Sequence, residues 1–141
     1  MNKVVCSGYF NPLHTGHIEC FKQASKLGKL IVIVNNDKQV ALKGSISFQN
    51  EDERRDIVDS IQYVSYAKIA IDDDESVANT LILLRPDIFF NAGDRNLENI
   101  NKKEQEICDS IGTLMVYGTS PKVQSSSELI EKAAREWIKK Q

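Results

Sequence analysis

Two histidines, His14 and His17, stand three residues apart in this chain, which has no others. Gly16 lies between them, and Gly8-Tyr9-Phe10-Asn11-Pro12-Leu13 leads up to them. Paired imidazoles can donate N–H bonds to phosphate oxygens and offset charge that builds on a phosphate during reaction. Gly8 and Gly16 are expected to let a bulky anion approach the backbone with no Cβ in its way. Two surface histidines beside a turn are the plainer explanation. That both fall in one glycine-flanked segment favours polyphosphate binding and chemistry.

That segment needs elements to hold it. Val4-Val5-Cys6 reads as a buried strand. Asn11-Pro12 marks a break, and from Thr15 to Leu27 the apolar positions Ile18, Phe21, Ala24 and Leu27, with Cys20 beside them, have helical spacing. The histidines thus fall where a helix begins, and a helix N-terminus attracts phosphate through unpaired N–H groups and partial positive charge. Strands are then expected at Leu30–Val34, Ala67–Ile71, Asp87–Phe90 and Thr113–Tyr117. Helices are expected at Asn50–Ile61, Ser76–Leu84, Asn96–Ser110 and from the cap Ser125–Glu128 to the end, with 36–48 a loop that exposes Lys43-Gly44. Such alternation predicts one α/β domain over residues 1–141: a Rossmann-like, doubly wound, five-stranded parallel sheet with helices on both faces. The loops 8–17, 36–48, 72–75, 91–95 and 118–127 all follow strands and can meet at one sheet edge, where ligands of such folds bind.

Bulk properties narrow the classes. The 141 residues suffice for a core without disulfides or metal. A net charge of −2 argues against general nucleic-acid binding. Three cysteines without C-x-x-C spacing read as reduced thiols. No apolar run reaches membrane-span length and no secretory leader is visible, so a cytoplasmic protein without membrane contact is expected.

Gly8-Tyr-Phe-Asn-Pro-Leu-His-Thr-Gly-His17 resembles the G-x-F-[DN]-x-x-H-x-G-H signature of the nucleotidyltransferase superfamily, and the likeness runs from Val4 to the helix after Ser127. The chain resembles cytidylyltransferase-like members: glycerol-3-phosphate cytidylyltransferases and the adenylyltransferase domain of heptose-phosphate enzymes. Asn11-Pro12 is closer to pantetheine-phosphate and nicotinamide-mononucleotide adenylyltransferases. The resemblance implies transfer of a nucleoside monophosphate from CTP or ATP to a phosphorylated small acceptor, with release of pyrophosphate. Glycerol-3-phosphate, a sugar phosphate or a similar polyol phosphate would be the acceptor, for cell-envelope or surface-glycan precursors. It further implies Mg²⁺ on the triphosphate, no metal ligands from the protein, and a homodimer as one assembly.

The resemblance also assigns residues. His14, His17 and Lys43 would be catalytic, with Gly8, Tyr9, Phe10, Asn11 and Gly16 lining the nucleotide. Lys43 would also reach the acceptor as a point charge, or else is a solvated lysine. Arg54 lies on the family's E-x-R helix and would grip the acceptor through its guanidinium, or else forms an ion pair with Glu51 or Asp52. Gly93, Asp94 and Arg95 resemble the loop that meets base and ribose, with Ala92 in place of the family's first glycine. Lys122, Ser125, Ser126 and Ser127 match the family's I-S-[ST]-T helix start for the β- and γ-phosphates, with Gln124 where an apolar residue is usual and no preceding arginine. Two other activities remain in view: an adenylyltransferase of coenzyme biosynthesis and a non-catalytic nucleotide-binding regulator. A tRNA-charging enzyme lacks both its lysine-rich loop and a tRNA-binding domain here.

Overall fold

A computed structural model describes residues 1–92, 100–118 and 126–141; Gly93, Asp94, Arg95, Lys122 and Ser125 lie outside the described residues, and of Ser126 and Ser127 only the helical backbone is described. The order of elements is β1 (Lys3–Gly8), α1 (Thr15–Ser25), β2 (Lys29–Val34), α2 (Asp37–Leu42), α3 (Glu51–Asp59) and β3 (Tyr66–Ile69). There follow α4 (Ala78–Leu84), β4 (Ile88–Asn91), α5 (Lys102–Ile111), β5 (Leu114–Tyr117) and α6 (Ser126–Lys139).

The five strands pair in parallel in the order β3-β2-β1-β4-β5. Alternate side chains point to opposite faces of each strand. Val4, Cys6, Leu30, Val32 and Val34 therefore pack with Phe21 and Ala24 of α1 and Val58 of α3. Val5, Ile31, Ile33 and Phe89 pack on the other face with Leu81 and Leu84 of α4 and Cys108 of α5. Helices on both faces of a parallel sheet make this the expected doubly wound α/β fold. The order reverses between β1 and β4, so a crevice opens beyond their carboxyl ends. No helix among the described residues is long and apolar enough to cross a membrane.

The structure moves several expected boundaries. The segment 36–48 is not all loop, because α2 fills Asp37–Leu42. Asn36 and Gln39 cap it reciprocally: the Asn36 side chain accepts from the Gln39 N–H, and the Gln39 side chain accepts from the Asn36 N–H, both at 2.9 Å. β3 runs from Tyr66 to Ile69 and does not reach Ile71, whose N–H turns to the Thr80 hydroxyl at 3.0 Å. α4 begins at Ala78 rather than Ser76, since the buried Asp72 carboxylate takes the N–H groups of Asn79 and Thr80. α5 begins at Lys102, capped by Asn101 on the Glu104 N–H at 3.1 Å, while residues 96–99 of the expected helix lie outside the described residues.

Candidate active site

β1 is the central strand, and Tyr9 to His14 follow its carboxyl end, where the strand order reverses between β1 and β4. Phe10 holds a left-handed backbone (φ 50°) and drives its ring into the core. That ring meets His17 edge-on at 4.9 Å and Phe21 at 5.4 Å. Gly8 is what makes room: a Cβ there would lie 2.7 Å from the tip of the Phe10 ring. A Cβ on Gly16 would likewise lie 2.9 Å from the His14 ring. Both glycines clear space for aromatic side chains of the loop itself, whereas the sequence alone had assigned that space to an anion.

His14 is the N-cap of α1, and its Nδ1 accepts from the Gly16 N–H at 3.1 Å. His17 reaches back, its Nδ1 accepting from the His14 N–H at 3.0 Å. The histidines thus cap the helix reciprocally, with rings stacked at 3.8 Å. A ring nitrogen that accepts an N–H bond carries no proton, so each neutral imidazole bears its proton on Nε2. Each Nε2–H is then a donor held beside the start of α1, that of His14 buried.

Lys43, the C-cap of α2, lies over this loop with Nζ 4.3 Å from the centre of the Tyr9 ring. Its side chain is exposed, and the α2 fold carries the charge to the glycine loop. Asn11 is buried, and its amide joins two chain segments: Nδ2 donates to Ile46 O at 2.6 Å and Oδ1 accepts from Phe48 N–H at 2.7 Å. This clasp holds the segment after Lys43 against the loop.

Arg54 differs from expectation. Its side chain is fully buried on α3. Nε donates to Gln49 O at 3.0 Å, Nη1 to Tyr9 O at 2.8 Å and Asn35 O at 2.6 Å, and Nη2 to the Asp37 carboxylate at 2.7 Å. The guanidinium ties together the ends of β1 and β2 and the start of α2, and it is not presented to an acceptor. Its ion pair is with Asp37, not Glu51 or Asp52. At Asp37 partial burial raises the carboxyl pKa, but bonds from Arg54, the Glu51 backbone and Ser47 outweigh it and hold it below the usual range.

Sequence reasoning passed over the amide network beneath the crevice. Gln39 is wholly buried and donates to Asp74 O and Ser76 O, each at 2.8 Å, while Asn36 donates to Ala70 O and Asp72 O, each at 3.0 Å. These bonds fix the β2 and β3 exits to one another. Its signal was present as an Asn followed three residues later by Gln after a strand. Asp74 pairs with Lys103 at 2.5 Å, and the bonds from Lys103 and Ser76 lower its carboxyl to about 2. Cys6 lies on β1 just before Gly8, where a bond with the Cys20 thiol and burial push its own thiol well above the ordinary range. It therefore stays protonated and is no nucleophile.

Comparison with known proteins fits this geometry. A family described as cytidylyltransferase-like matches residues 5–133. The FAD synthase of Picrophilus torridus is 31% identical over 130 residues, covering 90% of this chain and 92% of that protein. The bifunctional protein HldE of Syntrophotalea carbinolica is 32% identical over 104 residues, covering 72% of this chain but 21% of that one. The lipopolysaccharide core biosynthesis protein of Thermoplasma volcanium superposes with a TM-score of 0.72 at 27% identity, covering 83% of this chain and 95% of that one. A match over most of the chain, on the fold that sets two capping histidines at the sheet crevice, places the protein in the cytidylyltransferase-like family of nucleotidyltransferases.

Proposed function

We propose that the protein is an adenylyltransferase that moves AMP from ATP onto the phosphate of FMN, forming FAD and releasing pyrophosphate. The observation that carries this reading is the likeness to an FAD synthase over 90% of this chain and 92% of that one. A second archaeal FAD synthase, from Thermococcus sibiricus, supports it at 30% identity over 136 residues. The chemistry needs an FMN phosphate oxygen to attack the α-phosphorus in line while the bond to the β-phosphate oxygen breaks. Nothing covalent is asked of the protein, so its part is positioning and stabilisation of phosphate charge. His14 and His17 would donate Nε2–H bonds to the triphosphate, and Lys43 would add a mobile positive charge. Tyr9, Phe10, Asn11, Gly8 and Gly16 would shape the loop that receives the nucleotide. Gly93, Asp94 and Arg95 would meet base and ribose, and Lys122 with Ser125, Ser126 and Ser127 would take the terminal phosphates.

The groups gathered around the histidines are N–H donors and a lysine, and no cluster of three or more metal-ligating side chains forms among the described residues. Such a donor set fits phosphate and not a cation. Mg²⁺ would therefore arrive on the triphosphate oxygens and neutralise their charge.

A second reading has support of its own. The HldE proteins of two bacteria match 72% and 69% of this chain at 32% and 37% identity. On that reading the acceptor is a sugar phosphate or a polyol phosphate such as glycerol-3-phosphate. Pyrophosphate release with ATP and CTP against FMN, a heptose phosphate and glycerol-3-phosphate separates the two. The proposal expects turnover with ATP and FMN and a product with the mass of FAD. Turnover only with CTP, or only with a polyol or sugar phosphate, would overturn it. Nucleotide binding without turnover for any pair would point to a regulatory module.

A further inference from the structure

The segment after α2 leaves large apolar side chains in water. Ile46 is 79% and Phe48 67% exposed, and Leu42, the last residue of α2, is 50% exposed. Lys43 follows Leu42 directly, so a lysine and three large apolar side chains share one short stretch of chain. Such side chains clustered in water mark a surface that meets a ligand or a partner. This stretch is fastened as well as exposed. The Asn11 amide holds Ile46 O at 2.6 Å and Phe48 N–H at 2.7 Å, and the Ser47 hydroxyl between them donates to the Asp37 carboxylate at 3.2 Å. Asn11 lies in the loop between Gly8 and His14, so Ile46 and Phe48 stand beside the loop that carries the histidines. We propose that Ile46 and Phe48 form the subsite for the flat aromatic ring of the phosphate acceptor, an inference that deepens the FMN reading and rests on it.

The chemistry of the segment selects this occupant. FMN has two unlike ends, an anionic phosphate and a broad, planar, largely apolar isoalloxazine, joined by a flexible polyol chain. The segment has two ends to match. Lys43, with Nζ 4.3 Å from the centre of the Tyr9 ring, brings positive charge to the histidine loop, where the phosphate has to react. Further along, Phe48 offers a ring on which an aromatic heterocycle can stack, and Ile46 an aliphatic surface beside it. Because Asn11 bonds the backbone on either side of Ser47, the stretch that bears both side chains needs little ordering on binding. Glycerol-3-phosphate and heptose phosphates carry hydroxyls where FMN carries its ring, and their binding would leave Ile46 and Phe48 in water. The exposed pair thus favours a flavin over a polyol or sugar phosphate as acceptor.

Phe48→Ser, Phe48→Tyr and Phe48→Trp test the subsite at an exposed position, where the fold does not depend on the side chain. In steady-state assays of pyrophosphate release, Phe48→Ser should raise KM for FMN about tenfold and KM for ATP less than twofold. Phe48→Tyr, which keeps the ring, should recover the KM for FMN that Phe48→Ser loses. Ile46→Ser should raise it by about threefold, having less surface to lose. Phe48→Trp gives a readout apart from turnover: an indole stacked on the flavin quenches its fluorescence, so bound FMN should emit less than on the wild-type chain. The two levels of the reading fail differently. If the wild-type chain neither binds nor turns over FMN, the flavin reading itself falls. If it makes FAD while Phe48→Ser keeps its KM for FMN, the flavin reading stands and this subsite is overturned. Unquenched FMN on Phe48→Trp would overturn it too. So would an equal rise in KM for ATP and FMN in Phe48→Ser, which would make Phe48 a support for the segment and not a contact of the ring.

Discussion

His14 and His17 are at once the cap of α1 and the proposed phosphate donors, and the two roles separate experimentally. Asparagine is as good an N-cap as any residue, so His14→Asn should keep stability within about 0.5 kcal/mol, whereas His14→Ala should lose about 1 kcal/mol. Both should lower kcat by about 100-fold or more, because neither restores the Nε2–H donor. Chemical denaturation beside a pyrophosphate assay measures the pair, and an active His14→Asn enzyme would remove the histidine from the chemistry. Gly8 makes a different prediction. With the Phe10 ring 2.7 Å from the position of an added methyl, Gly8→Ala should destabilise by about 1–3 kcal/mol. It should also push the ring off His17, so activity should fall with stability. A variant as stable as wild type would show that the space is not needed.

Among the elements, Arg54 carries the sharpest consequence. Replacing it by Met removes the donors to Tyr9 O, Asn35 O and Gln49 O, of which the Asn35 carbonyl is buried and the other two half-buried. A loss of about 3 kcal/mol follows, seen as a lower denaturation midpoint. A variant that kept its stability and only raised KM for the acceptor would return Arg54 to substrate binding. This residue also marks where sequence reading stops. The E-x-R pattern gave its helix correctly, yet a buried arginine and an exposed one look alike until the carbonyls around it are placed. The strands were legible because Leu30 to Val34 and Ile88 to Phe90 are unbroken apolar runs. α2 was not, because its six residues bury only Gln39 and Val40 and its signal is one amide pair. The helix start at His14 was legible from the break at Asn11-Pro12, but not the reciprocal cap, for which histidine is an unusual choice.

For the molecule as a whole, the site is the meeting of β-strand exits on one edge of a twisted sheet, and distant side chains hold that edge together. Lys103 of α5 reaches Asp74 in the β3–α4 connection. Asp74 has a pKa of about 2 in the fold against 3.8 ordinarily, chiefly through Lys103 and then Ser76. A carboxylate lowered by folding stabilises above its unfolded pKa and loses that contribution as pH falls through the folded one. The fold should therefore weaken from Asp74 between about pH 4 and pH 2, and Asp74→Asn should flatten that part of a stability–pH curve. An unchanged acid limb in the variant would mean that Asp74 and Lys103 do not hold the edge. The parallel, doubly wound sheet was readable from alternation alone, and its strand order came from the structure.

The central claim is that the two histidines, fixed through Nδ1, offer Nε2–H to a triphosphate. Two-dimensional ¹⁵N NMR of the imidazoles tests it most directly, because His14 and His17 are the only histidine signals. The account predicts Nε2–H tautomers in the free protein. On addition of a non-hydrolysable ATP analogue with Mg²⁺, both Nε2 resonances should shift while the Nδ1 resonances keep their hydrogen-bonded positions. Nδ1–H tautomers, or bound analogue with both Nε2 signals unmoved, would contradict it.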